Sequence, residues 1–198
     1  MTTIVYRNNY SAPPINRREA LRYAGVRGDS PEAETLLEGC ISEAEKVLSY
    51  KLCYAEYSLT RVENSLDFGF ATVESEKLAA HLSGCDSAIV FAATVGIGID
   101  RLIAKYGKTS PTKALLLQGL GAERIETLCD LFSDELSREG YSLTSRFSAG
   151  YGDLTLEFQR EIFRALDCPR SIGLTLTDSL LMSPTKSITA IIGKKEKK

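Results

Sequence analysis

Apolar and polar positions along this chain change period several times, and each period predicts an element. Asn16 opens the first helical stretch, with Glu19 three residues on in capping-box spacing and Gly25 placed to end it. Ser30 caps the next, with Pro31 at the first helical position and Glu32 and Glu34 in the first turn. Leu36, Leu37, Cys40, Ile41, Ala44, Val47 and Leu48 then recur every three or four residues, which is the core stripe of a helix. From Leu52 to Val73 the period drops to two. Cys53, Ala55, Tyr57 and Leu59 alternate with polar neighbours, and after Asn64-Ser65 so do Leu66, Phe68 and Phe70. This predicts an antiparallel hairpin whose aromatics serve sheet packing.

Ser75 begins a short helix that Gly84 can end, and His81 on it reads as a surface or partly buried residue rather than a catalyst. Ala88 to Thr94 is a continuous apolar run, the pattern of a central strand covered on both faces. The following Gly96-x-Gly98 has Arg101 where a dinucleotide fingerprint needs its third glycine, so that motif is incomplete. Lining a pocket is the loop's other reading. Ser110-Pro111 opens the longest helix, to about Arg138, with Gly140 as its stop. Leu117, Leu120, Ile125, Leu128, Phe132 and Leu136 form its inner stripe. Gly119 and Gly121 each cost about 1 kcal/mol there relative to Ala, which predicts close approach of another element. Glu123 and Glu126 read as solvated or paired, with a turn toward a ligand open to either. A strand over Tyr141–Thr144, a helix over Leu156–Leu166 and two short strands around Ser183-Pro184 complete the pattern. Residues 1–15 read as an extended arm and 194–198 as a solvated tail. No repeat or linker divides residues 1–198, so one domain is expected.

Composition narrows the classes. With 198 residues and 43% apolar content, the chain can supply a full core. A formal net charge of −2 and a pI of about 5.6 argue against a nucleic-acid partner. There is no Trp and one His, which argues against a His-based metal site and leaves His81 as the single histidine that could serve a Ser/His/Asp triad. Cys40, Cys53, Cys85, Cys129 and Cys168 are widely spaced and form no CxxC, as expected of a reducing cytoplasm. The N-terminus lacks an apolar signal region, and no run reaches the length of a membrane span.

The candidate chemistry sits in Arg146 to Tyr151, RFSAGY, followed by Gly152 and Asp153. Glycines at 150 and 152 let backbone approach a ligand closely. Arg146 offers a planar fork of donors suited to a carboxylate or phosphate. A plain strand-to-helix turn with a surface arginine fits the same residues, and local pattern does not separate the two.

A second block separates them. RFSAGYGDLTLEFQREIFRALD and IGLTLTDSLLMSPTKSITAIIG together resemble the activation domain of cobalamin-dependent methionine synthase. Its RxxxGY signature is met by Arg146, Gly150 and Tyr151. Its downstream pattern is met by Gly173, Leu174, Leu176, Thr177, Ser179, Met182 and Pro184. The resemblance covers Tyr141 to Gly193 most closely; REALRYAGVRG also looks like short stand-alone members.

The resemblance implies an α+β fold, a twisted antiparallel sheet surrounded by helices. It implies S-adenosylmethionine as ligand, with Arg146 on the methionine carboxylate, backbone around Ser148 and Gly150 close to the ligand, Tyr151 against the ligand or the corrin, and Glu126 as a ligand-facing carboxylate. The sulfonium methyl is already electrophilic, so no catalytic acid or base is expected, only positioning. Cobalamin would be carried by a separate methionine synthase chain, reduced by a flavodoxin-like or other electron donor. Ser148 and Ala149 replace the Ala-Pro common in the family, which implies a less rigid loop. The sequence runs out soon after Gly193, so a later ligand-touching strand is expected to be missing. With no cobalamin, homocysteine or folate module in the sequence, action in trans is expected. An activator of another corrinoid methyltransferase and a non-catalytic S-adenosylmethionine-binding regulatory module are the alternatives.

Overall fold

The computed structural model describes residues 3–62 and 65–195. Asn64 of the predicted hairpin turn and residues 196–198 of the predicted tail lie outside them. In chain order the first elements are β1 (Tyr6–Tyr10), α1 (Arg17–Tyr23), α2 (Pro31–Ala44), β2 (Tyr50–Ser58), β3 (Thr60–Val62), β4 (Ser65–Asp67) and β5 (Thr72–Glu74). Then come α3 (Glu76–His81), β6 (Ser87–Thr94), α4 (Ile97–Thr109), α5 (Pro111–Arg138) and β7 (Ser142–Leu143). The last are α6 (Phe158–Ala165), α7 (Cys168–Ile172), β8 (Thr175–Leu176), β9 (Met182–Ser183) and β10 (Ser187–Lys195).

Side-chain caps start the early helices where the sequence puts them. Asn16 accepts from the Glu19 amide at 3.2 Å and Ser30 from the Ala33 amide at 3.4 Å. Ser110 precedes α5 as expected but makes no capping bond through its side chain.

The main sheet runs β1-β2-β6-β10-β7, antiparallel throughout. Its central strands are buried on both faces. Ile89, Phe91 and Ala93 of β6 pack, with Leu52 and Ile192, under α1, α2, α4 and α5. Ala88, Val90 and Ala92 pack, with Cys53, Ala55 and Ile191, under α3, α6, α7 and the small β3-β4-β5 sheet. Period-2 geometry sends alternate residues to opposite cores, so a strand between two apolar layers has no polar face. This is the α+β arrangement expected. Among the described residues no helix is long and apolar enough to cross a membrane.

Four expectations change. The predicted hairpin forms only in part: β3 and β4 pair antiparallel on either side of its expected turn, but the Cys53–Leu59 run does not join them, since β2 pairs with β1 and β6. Period identifies a strand but not its partner. The arm holds edge strand β1, with Tyr6 stacked on Tyr54 at 5.1 Å between centroids. The C-terminal region ends in a nine-residue strand, β10, inside the sheet rather than in short strands alone. Finally, Lys194 and Lys195 belong to that strand, and Lys194 Nζ lies 2.8 Å from Glu56 and 3.6 Å from the Tyr141 ring centroid.

The glycines of the two suspicious motifs are packing residues. Gly96 and Gly98 face Ser49 and the Val47 carbonyl, which a Cβ would strike. Gly119 takes the backbone of Ala20 and Ala24 of α1, and Gly121 takes the stem of Lys186. Beside this contact, Glu123 and Arg124 form an ion pair with neither side chain more than 2% exposed. Arg124 donates to the carbonyls of Pro13 at 2.6 Å and Pro14 at 2.8 Å. Glu123 accepts from the Asn16 amide and the Thr127 hydroxyl, both at 2.9 Å. Glu123 is thus paired, one of the readings left open.

Three single substitutions and one double variant test these helix contacts by chemical denaturation. Gly119→Ala is expected to lose about 1–3 kcal/mol to overpacking, despite the gain in helix propensity. Gly107→Ala, with open space around it, is expected to gain up to about 1 kcal/mol. Arg124→Met, which strands the buried Glu123 carboxylate, is expected to cost about 3–5 kcal/mol, and adding Glu123→Gln should recover part of that loss.

Candidate functional site

The site forms where the sheet's outer edge is incomplete. β7 pairs with β10 only at Lys194 and Lys195, and Phe147 then bridges to Ile191 through two backbone bonds of 2.9 and 2.8 Å. Beyond that bridge the chain leaves β10 and turns. The Tyr151 amide bonds the Ser148 carbonyl at 3.1 Å, and the Gly150 amide bonds the Leu154 carbonyl at 2.9 Å. Gly150 has φ +90° and Gly152 φ +62°, values an L side chain rarely adopts.

This turn, α5 and β10 enclose a cavity of about 530 Å³. Arg146, Ser148, Tyr151 and Glu126 all line it, so four of the five predicted site residues come together. Gly150 does not line it; its amide is engaged within the turn, and its contribution is the turn itself. Arg146 Nη2 donates to Glu126 at 2.7 Å and Nη1 to Asp130 at 2.7 Å. Burial opposes the Arg146 charge, but Asp130 and Glu126 outweigh it and hold its pKa above the ordinary arginine value. Behind it, burial pushes the Cys129 thiol far up, so that sulfur is no nucleophile here.

A second, mostly apolar compartment of about 460 Å³ adjoins the first and shares Ser148, Tyr151 and Ile188 with it. Leu156, Leu181 and Met182 add its apolar wall. The two sequence blocks that carry the resemblance therefore meet in one groove, the first through Arg146 to Tyr151 and the second through Met182. The groove offers charge at one end and apolar surface at the other.

Three groups here were not foreseen. Asp130 had a signal, since it lies one helical turn after Glu126 and so shares its face. Ile188 had none, because its place depends on which edge of β10 is open. The role of Asp153, taken up below, depends on a contact with α3 that no spacing encodes.

No family model matches this chain, and no curated protein does. Among solved structures it is similar to a crystal structure of the MetH reactivation domain bound to AdoHcy. That match has a TM-score of 0.70 at 16% identity and covers 98% of this chain and 79% of the other. The fold of this chain is thus that of the MetH reactivation domain.

Tyr151 is 58% exposed and Leu154 is 1% exposed. Tyr151→Ala should therefore change unfolding free energy by no more than about 0.5 kcal/mol. Leu154→Ala is expected to cost about 2–5 kcal/mol. A large loss for Tyr151→Ala in urea denaturation would mean the ring holds the loop together rather than facing a ligand.

Proposed function

We propose that this chain binds S-adenosylmethionine and serves as a reactivation subunit, supporting reductive methylation of cobalamin on a separate cobalamin-dependent methionine synthase chain. The observation that carries the reading is the single groove shared by Arg146, Glu126, Ser148 and Tyr151 in a fold whose solved neighbour holds AdoHcy.

The donor set fits the ligand. Its amino-acid end is a zwitterion, and the groove sets an arginine between two carboxylates four residues apart on one helix face. Arg146 keeps its Nε–H and further Nη–H donors for the ligand carboxylate. Glu126 and Asp130 suit the ammonium. The three side chains sum to a net negative charge, complementary to a ligand that is cationic overall because of its sulfonium. Ser148 adds a hydroxyl at the junction of the two compartments, and the apolar compartment with Tyr151 on its rim suits the nucleoside. The combined groove is of the size common for small-molecule sites, roughly 300–1,000 Å³.

S-adenosylmethionine supplies a methyl group already activated by the sulfonium. The residues of this chain then have three tasks: to bind, to aim the methyl outward, and to leave the path to the partner open. Tyr151, exposed at the mouth, is the side chain best placed to meet an approaching corrin. The electron comes from a flavodoxin-like or other donor, and the cytoplasm is the compartment this chemistry suits.

Calorimetry with S-adenosylmethionine and AdoHcy tests the reading. Arg146→Ala is expected to weaken binding by about 1.5–3 kcal/mol, with thermal stability retained. Parent protein that binds neither compound, or a variant that binds as tightly as the parent, sinks it. Added to an oxidised cobalamin-dependent methionine synthase with ligand and reductant, the parent should restore turnover and Arg146→Ala should not.

A further inference from the structure

The segment carrying Arg146 and Tyr151 is held at both ends by α3, a helix that contributes nothing to the groove lining. At the leading end, His81 closes α3 and donates from Nε2 to the Ser145 carbonyl at 2.7 Å. Its ring packs on Phe147, centroids 5.2 Å apart, and Phe147 meets Tyr151 edge-on at 6.1 Å. At the trailing end, the Asp153 carboxylate accepts from the Ser75 hydroxyl, from the Glu76 amide at 2.8 Å and from the Lys77 amide at 3.3 Å. Those amides are first-turn donors that the helix itself cannot satisfy. Ser75 Oγ accepts from the Leu78 amide at 3.1 Å, so the N-cap and Asp153 divide the donors between them. The Ser75 hydroxyl, then the Lys77 and Glu76 amides, hold the Asp153 carboxyl below the usual aspartate range.

Between these anchors Gly152 lies directly on the Lys77 side chain, leaving no room for a Cβ. The far end of α3 is braced in turn. Arg61 donates to the Ala79 carbonyl at 3.2 Å and the Leu82 carbonyl at 2.7 Å. The loop has few buried side chains of its own: from Ser145 to Asp153 only Ala149 is buried. Its shape is therefore imposed from outside.

Resting on the reading of this groove as an S-adenosylmethionine site, we propose that α3 is a clamp on residues 145–153, and that His81 and Asp153 are positioning residues for the ligand. His81 fixes the peptide immediately before Arg146. Asp153 fixes the chain two residues after Tyr151. With both in place, Arg146 and Tyr151 are aimed before the ligand arrives, and the cost of ordering the loop is not charged to binding.

The test uses His81→Leu, which keeps bulk but removes the donor, and Asp153→Ala. Each should weaken S-adenosylmethionine binding by about five- to tenfold while shifting Tm by only a few degrees. Each should also speed amide hydrogen exchange across residues 146–154 in the ligand-free protein. His81→Gln, which retains a donor at the same reach, should restore affinity to within about twofold, whereas Asp153→Asn, which keeps one acceptor oxygen and turns the other into a donor, should recover only part of the loss. Affinity at the parent level in both disrupted variants overturns the proposal, whatever exchange shows. If the parent binds neither S-adenosylmethionine nor AdoHcy, the site reading fails separately. Exchange then decides the clamp, and unchanged rates across 146–154 overturn it.

Discussion

The buried pair of Glu123 and Arg124 is the constraint on which the groove depends. Two charges this far from water are tolerable only when their remaining hydrogen-bonding capacity is met. Here it is met by the carbonyls of Pro13 and Pro14, the amide of Asn16 and the hydroxyl of Thr127. Those partners lie on the N-terminal arm, on the cap of α1 and on α5 itself. The helix therefore cannot turn about its axis or slide along it without stranding a charge. Glu126 and Asp130 project from the next turns of the same helix, so the pair also fixes where the groove's carboxylates point. Such a network is a device for orientation more than for net stability, since an apolar replacement of both partners can be just as stable.

The sheet carries the other half of the frame. β6 and β10 lie between two apolar layers, and the contacts on one face are independent of those on the other. Ile191 packs toward the layer that includes α6 and Leu154, while Ala190 and Ile192 pack toward α5. The β10 strand thus ties both cores to the bridge with Phe147. The groove opens where the sheet stops pairing, just past that bridge, so its position follows from strand length rather than from any residue within it.

Much of this was legible in the sequence, and the remainder failed for a definite reason. Capping residues and 3.6-residue periodicity located α1, α2 and α5 because a helix satisfies its backbone locally. The apolar run of β6 announced a doubly covered strand. Strand partners were not legible, since backbone pairing is blind to side-chain identity and β2 finds neighbours at Tyr6–Tyr10 and Ser87–Thr94, far away in sequence. Within the candidate groove, Arg146, Ser148 and Tyr151 lie in the first sequence block, Glu126 came only from what the resemblance implies for the long helix, and Asp130 follows from helical spacing once Glu126 is chosen. Ile188, His81 and Asp153 matter through tertiary neighbours, and single-sequence patterns do not record those.

Arg146 shows how the two halves of the frame act together. Its guanidinium is half-buried and already paired with two carboxylates, which keeps it charged and extended in the absence of a ligand. An arginine free to roam would lose rotamer entropy on binding, whereas this one has already lost it to Glu126 and Asp130. The same pairing sets a limit on affinity, because a ligand carboxylate must share the guanidinium with two anions and bears their repulsion. A ligand that also carries an ammonium, and a sulfonium beyond it, removes that penalty by neutralising the anions it meets. A simple carboxylic acid does not. On the proposed reading, the arrangement would discriminate by charge pattern before any contact with a nucleoside is made, with side chains whose directions are fixed elsewhere: by the buried pair on α5 and by the turn that follows the edge of the sheet.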